Sequence, residues 1–410
     1  MILFFLTSGL FLGWSLGAND ASNVFGSAVG SRMISFRKAA VIASIFVIMG
    51  AVIQGAGASH TLGNLGAVNA IGGSFTLALA AAASVYIMTK FSLPVSTTQA
   101  IVGAIIGWNI FTGNPTDGGT LSKIIGTWIS GPIIGALFAI VLYILLNKIK
   151  RVSRMHLIRF ESYIRAGLIV VGAFGAYSLG ANNIANVMGV FAPAFKLEEL
   201  NLGIFSLSSG QQLFLLGGFA IAVGIMTYSK RVMETIGGNL LELTSEAAMV
   251  VVLAESLVLF IFSSTGLSNF FVRLGLPPIP MVPVSSSQVV VGCVLGIGIY
   301  KGVNNINFKL LGEIGIGWIG TPVLAGVIAF FSLFFMKNIF NVNVGYKVTD
   351  TEGLHQQVAV MGQGISDIIK YLLLGIFVIV LISMAVYYLL ERKKSREIQK
   401  SDTKFWKYLK

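Results

Sequence analysis

Charge is scarce in this chain. Asp, Glu, Lys and Arg make up 11% of its 410 residues, against about 25% in an ordinary soluble domain. The lone cysteine, Cys293, can form no intrachain disulfide and sits in an apolar run, which reads as packing. The three histidines, His60, His156 and His355, belong to no ligand pattern. With no Walker A, HExxH or Cys/His cluster, neither an ATPase nor a metalloenzyme is supported. No nucleophile stands beside a base, so a membrane phosphotransferase has little support either, and the chain is expected not to be an enzyme and to carry no cofactor. No Lys or Arg precedes Arg32, so the apolar N-terminus lacks the basic region of a cleaved signal and is expected to remain as a membrane helix.

What the chain does have is apolar length. Hydrophobic residues make up 55%, in runs that reach the roughly 20 residues a bilayer-spanning helix needs. The expected fold class is all-α, a polytopic protein embedded in a lipid bilayer. Apolar segments fall near 1–29, 39–57, 71–91, 93–111 and 121–147, then near 164–195, 211–229, 247–264, 283–300 and 312–336, with an extra span at 368–390. Basic residues gather at Lys148 to Arg165 and at Arg392 to Lys410. That is the positive-inside pattern of cytoplasmic loops, not a nucleic-acid patch. It places the linker 148–163 and the C-terminal tail in the cytoplasm, with the chain in the cell (inner) membrane.

The two series of segments repeat each other. "GANDASNV" (17–24) is answered by "GANNIANV" (180–187), "PVSTTQAIVG" (94–103) by "PVSSSQVVVG" (283–292), and "WISGP" (128–132) by "WIGTP" (318–322). The order is the same in both series, so a two-fold internal repeat is expected: 1–147, the basic linker 148–163, then 164–336, followed by 337–410 as loop, extra helix and tail. The segments 71–91 and 93–111 are joined almost directly. They either cross twice or fold back as a re-entrant hairpin, and both cases add an even number of crossings. The other three segments make each half odd, so the second half starts on the opposite side of the membrane: an inverted repeat.

Each motif pair suggests a chemistry. Asn19 and Asn23 are spaced i, i+4, as are Asn182 and Asn186, so each pair would share a helix face. Flanking glycines point to broken helices whose carbonyls and amides face inward, which survive at membrane depth only when buried in protein or lining a cavity. In the second pair, a proline followed by small hydroxyl residues starts a helix whose free N–H groups and positive dipole end suit an oxyanion. Ser96, Thr97 and Thr98 from one half and Ser285, Ser286 and Ser287 from the other would surround a tetrahedral anion such as phosphate or sulfate, with Asn183 and Asp20 beside it.

Asp20 then needs a cation. At about 5 Å and an effective dielectric near 20, it would repel a bound monoanion by roughly 3 kcal/mol, and a dianion by twice that. Na⁺, held by Asn19, Asp20, Asn23, Asn182, Asn183 and Asn186 with Gln99 and Gln288, removes the objection. Energetics agree, because moving a dianion inward against 100 mV costs about 4.6 kcal/mol while each entering Na⁺ gains about 2.3 kcal/mol. A tenfold gradient adds about 1.4 kcal/mol per ion. Asp20 and, after it, Glu255 in "MVVVLAESLVLF" are the residues able to carry a proton instead. Lys90 reads as a snorkelling lysine, and Asn304, Asn305, Asn307, Asn341 and Asn343 as loop.

These motifs resemble those of the inorganic phosphate transporter (PiT) family, over roughly residues 9–335. "GANDASNVFGSAVGSR" and "GANNIANVMGVFAP" resemble its duplicated signature, and "PVSTTQ" and "PVSSSQ" its paired proline-hydroxyl segments. The resemblance implies an inverted-repeat carrier that takes up phosphate with Na⁺ or, in some members, H⁺. It implies Asp20, Asn23, Asn183 and Asn186 at the substrate and ion site, with Ser96, Thr97, Ser285 and Ser286 at the phosphate. Many members read "SIFE" where this chain reads "SIFV" with Val47, a lost acid that agrees with Na⁺ coupling. The large hydrophilic domain of animal members is absent, as in compact microbial forms. The reading is a Na⁺-coupled phosphate symporter, compatible with a homodimer. The alternatives are a proton-coupled phosphate permease, a sulfate permease and an anion channel.

Overall fold

The structure, a computed structural model, describes residues 2–346 except 31, 67, 91–94, 154–155, 196, 202–205, 231–232, 234–243 and 303–307. The expected span at 368–390, the basic tail, His355, Asn304, Asn305, Asn307, Pro94 and the side chain of Lys90 lie outside the description.

Helices dominate. The first half contains α1 (Ile2–Asn19), α2 (Ala21–Gly30), α3 (Phe36–Gln54), α4 (Ala56–Leu65), α5 (Ile71–Lys90), α6 (Thr97–Thr112) and α7 (Gly118–Ser153). The second contains α8 (Leu157–Met188), a two-stranded antiparallel ribbon of β1 (Leu200–Asn201) and β2 (Ser206–Leu207), then α9 (Ser209–Thr227), α10 (Ser245–Ile261), α11 (Thr265–Arg273), α12 (Ser286–Tyr300) and α13 (Phe308–Asn338). Six of these helices are long and apolar enough to cross a membrane, and α10 with α11, bent by 67° at their junction, make a seventh candidate.

Polar residues punctuate these apolar runs at the helix ends. Ser96 and Ser285 cap α6 and α12, each accepting from the backbone N–H three residues on, at Gln99 and Gln288. Ser208 and Gln211 form a reciprocal capping box at α9. Asp117 caps α7, accepting from the Thr120 N–H at 2.7 Å, and its bonds to Thr120 hold its carboxyl below the usual aspartate range. The basic stretch expected as a linker is mostly helical: α7 runs to Ser153 and α8 starts at Leu157. There Lys150 pairs with Glu246 at 2.6 Å and fastens α7 to the start of α10.

The two halves are interlaced rather than stacked side by side. α1 packs along α9 while α8 packs along α3, and α6 packs along α13 while α12 packs along α7. Within the halves, α1 against α5 is matched by α8 against α10. Two glycine pairs show the same exchange at atomic distance. A methyl group on Gly17 would overlap the carbonyl of Ile221, and one on Gly180 that of Val47. Likewise, Gly103 meets the carbonyl of Pro322, and Gly292 that of Pro132. The third repeated motif, each with a proline inside a helix, is therefore the crossing point of α7 with α12 and of α13 with α6. Matching apolar rows face outward, Ile129, Ile133, Leu137 and Val141 on α7 and Ile319, Val323, Val327 and Phe331 on α13. Rows of this length on the outer face fit lipid contact.

Candidate substrate and ion site

The first polar motif breaks its helix, and the break falls at Asp20. α1 stops at Asn19 and α2 resumes at Ala21, with the Asp20 N–H donating to Leu16 and its carbonyl accepting from Asn23. Gly17, the flanking glycine that starts the motif, makes the close crossing with α9. The break falls between Asn19 and Asn23, so that pair does not lie on one continuous helix. The second motif behaves differently. Residues 180–187 lie in an unbroken turn of α8, which ends only at Met188, so the expected second broken helix is absent.

The motifs converge as complementary partners. Thr97, in the first turn of α6, donates to Asp20 Oδ2 at 2.9 Å, and Asn19 donates to Oδ1 at 3.2 Å. Thr98, the next residue, faces the other half: its hydroxyl donates to the Val284 carbonyl at 3.3 Å and accepts from Asn186 Nδ2 at 2.9 Å. Asn186 also donates to Asn183 Oδ1 at 2.9 Å. Asn182, one position earlier, spends its amide on backbone, donating to Val282 at 3.0 Å and accepting from the Val284 N–H at 2.7 Å. It pins the extended stretch that leads into α12. Ser285 and Ser287 bond each other at 3.2 Å.

The centre is closed. Asp20, Asn23, Ser96, Thr97, Thr98, Gln99, Asn182, Asn183, Asn186, Ser285, Ser286, Ser287 and Gln288 are all buried, and Asn19 is half-buried. Several of their polar atoms take no protein partner: Asn183 Nδ2, Asn186 Oδ1, Gln99 Oε1, Ser286 Oγ and Gln288 Oε1. Donors and acceptors left over at one buried place are what a polar ligand would satisfy, because each unpaired group otherwise costs about 1–3 kcal/mol.

The sequence profile of the phosphate transporter family matches residues 16–160 and 150–329, a span that includes both copies of every motif. The chain belongs to the phosphate transporter family. Relatives within reach include a candidate phosphate permease of Pyrococcus furiosus, 27% identical, covering 80% of this chain and 94% of the relative. Another, from Haemophilus influenzae, is 24% identical, covering 81% of this chain and 96% of the relative. Among solved structures, "The sodium-dependent phosphate transporter" superposes with a TM-score of 0.64 over 82% of this chain and 99% of that one, at 22% identity, a likeness of fold. This family member is thus a multi-pass membrane protein.

Sequence reasoning missed two features of this transporter. Residues 341–346 fold back over the first half: Trp108 Nε1 donates to Val344 at 2.8 Å, and Asn69 bonds Tyr346 in both directions, at 3.0 and 3.3 Å. Nothing in the local pattern marks that stretch. Ser178 is the second: it is buried and its Oγ has no partner. Here a signal existed, because "SLGAND" from Ser15 and "SLGANN" from Ser178 begin to match two residues before the glycine.

Proposed function

We propose that the chain takes up inorganic phosphate together with Na⁺ by alternating access, as an inverted-repeat carrier. The observation that carries this reading is the Thr97–Asp20 hydrogen bond inside a sealed centre. It joins the acid of the first motif to the hydroxyl helix start of the second. Ionised Asp20 has two side-chain donors and lies out of water, where an uncompensated carboxylate costs several kcal/mol. A Na⁺ beside it offsets that cost and removes the repulsion toward an anion.

In this reading, Thr97, Thr98, Ser96 and the Ser285–Ser287 run, with the N–H groups of two helix starts, receive the phosphate. Asp20, Asn19, Asn23, Asn183 and Asn186 hold cations, with Gln99 and Gln288 at the edge. Asn182 has a positioning role, since its amide already holds the backbone before α12. Phosphate both donates and accepts at neutral pH, so Asp20 and the Asn carbonyls favour it over fully ionised sulfate. Supporting the sodium reading are the absence of an acid at Val47 and the name of the structural neighbour. The buried centre also favours a carrier over a channel, because a carrier must seal its site between openings.

Labelled phosphate uptake in proteoliposomes tests this, with Na⁺ and H⁺ gradients imposed separately and sulfate as competitor. Accumulation driven by Na⁺ and unaffected by sulfate is expected, and Asp20→Asn should lower it at least tenfold. Accumulation driven by H⁺ alone, competition by sulfate, or a passive voltage-driven current would overturn the reading.

A further inference from the structure

α3 and α8 each carry a cation ahead of an apolar row. On α3 the row is Lys38, Ile42 and Phe46, and on α8 it is Arg165, Ile169, Ala173 and Tyr177, each residue four after the last. That spacing puts the members of a row on one helix face. The helices meet backbone to backbone at Gly50 and Gly180, and they run in the same direction, since Val47 lies against Gly180 and Ile184 against Gly55. Nearer their starts the two rows line a groove of about 490 Å³. Ile42 and Phe46 supply one wall, Ile169 and Tyr177 stand on the other, and the small Ala173 leaves the space between them. The groove opens sideways, because Val170 on its rim is 69% exposed.

Both cations stand at one end of it. Lys38 and Arg165 are exposed, one turn or about 6 Å before Ile42 and Ile169. Among the described residues neither is in an ion pair. With Arg37 beside Lys38, and Glu161 one turn before Arg165, this mouth holds three cations against one acid. The close crossing does not itself call for them. In the repeat-related crossing of α1 with α9, Gly17 and Ile221 stand for Gly180 and Val47, and the same offsets put Ile2 and Gln212 in the places of Arg165 and Lys38. An apolar groove between membrane helices that ends in unpaired cations suits an acyl chain along the groove and a headgroup phosphate at its mouth. A neutral lipid leaves the cations without an anion, and a second copy packed here about a two-fold axis would bring its own Lys38 and Arg165 to the same face.

We propose that the groove between α3 and α8 holds one anionic phospholipid of the cytoplasmic leaflet, with its phosphodiester on Lys38 and Arg165 and an acyl chain along Ile42, Phe46, Ile169 and Ala173. The leaflet follows from the charge at this end, where Lys150 sits over the Phe160 ring of α8 at 4.9 Å. Bound there, the lipid fastens together two helices supplied by different halves, one of which carries the Asn182–Asn186 motif. The proposal is independent of the coupling ion.

Native mass spectrometry of the delipidated full-length protein in detergent, titrated with phosphatidylglycerol or phosphatidylcholine, tests this. Wild type should hold one phosphatidylglycerol per chain in preference to phosphatidylcholine. Lys38→Gln combined with Arg165→Gln should weaken that binding roughly tenfold or more. Ala173→Phe, which fills the groove and keeps the charges, should weaken it too. Arg151→Gln combined with Lys301→Gln removes the same charge from exposed positions outside the groove and should leave it unchanged. Lys38 and Arg165 are exposed, so their variant decides the matter even if Ala173→Phe fails to fold. Equal binding of the two lipids by wild type, or equal loss in the two charge variants, would overturn the proposal. So would a disulfide-linked dimer of Val170→Cys in oxidised membranes, which would assign the groove to a second copy.

Discussion

Asn182 illustrates how much one buried side chain can organise. Its amide closes a two-bond clasp on Val282 and Val284, and the same extended stretch offers the Val284 carbonyl to Thr98 from the other half. Asn182→Ala leaves the Val284 N–H and the Val282 carbonyl unpaired in a dry environment, about 1–3 kcal/mol each. The melting temperature in detergent should fall by several degrees, with Asn182→Asp intermediate because it keeps the acceptor half. A variant that melts like wild type would remove the clasp from the stability of the site. The sequence identified Asn182 as polar and paired it correctly with its repeat, but could not tell which partner an amide takes. A contact 100 residues away in the chain decides that. Asp20 was legible for the opposite reason: its misfit among apolar neighbours is visible in one dimension, and the structure adds Thr97 as its donor.

At the scale of elements, most long apolar helices lie within a few residues of where hydropathy sets them, because their length is dictated by the bilayer, but α7 runs six residues past the expected 147, and α8 spans 157–188 where 164–195 was expected. α4 and α11 were not anticipated, since "AGASHTLGNL" and "TGLSNFFVR" are short and only partly apolar. Nor could sequence separate the two GAN motifs, one at a helix break and one inside a helix, from eight nearly matching residues. The crossings are where the glycines matter. Gly17→Ala and Gly180→Ala each force a methyl group into a carbonyl of the partner helix, and overpacking of this kind costs about 1–3 kcal/mol. Gly126→Ala on α7 meets nothing within 4 Å and should instead leave stability unchanged or raise it by roughly 0.5–1 kcal/mol through helix propensity. Thermal unfolding of the three variants in one detergent checks the contrast. Equal behaviour would mean that the crossings are loose.

For the whole molecule, α10 and α11 define opposite ends. α10 begins beside the Lys150 bridge, and the loop after α11 returns to α4, where Met281 accepts from Thr61. Under the proposed orientation, Leu274→Cys should react with a membrane-impermeant maleimide in intact cells, and Ser153→Cys only after permeabilisation. Both positions are exposed, while the native Cys293 is buried and adds no background. Labelling of both from one side would contradict the odd number of crossings between them. Three motif pairs mark the repeat in the sequence, but they do not reveal the interlaced packing, because order along the chain does not say which half supplies a neighbour.

That interlacing bears on how the protein is made. α3 has its main neighbours in α8 and α9, and α6 and α7 have theirs in α13 and α12, all translated later. At roughly 5–20 residues per second, the first half waits about 10–35 s in the membrane before the second is complete. During that interval Asp20 already has both of its side-chain donors, Asn19 and Thr97, within the first half, whereas α9, which packs along the helix leading to it, is still to be made.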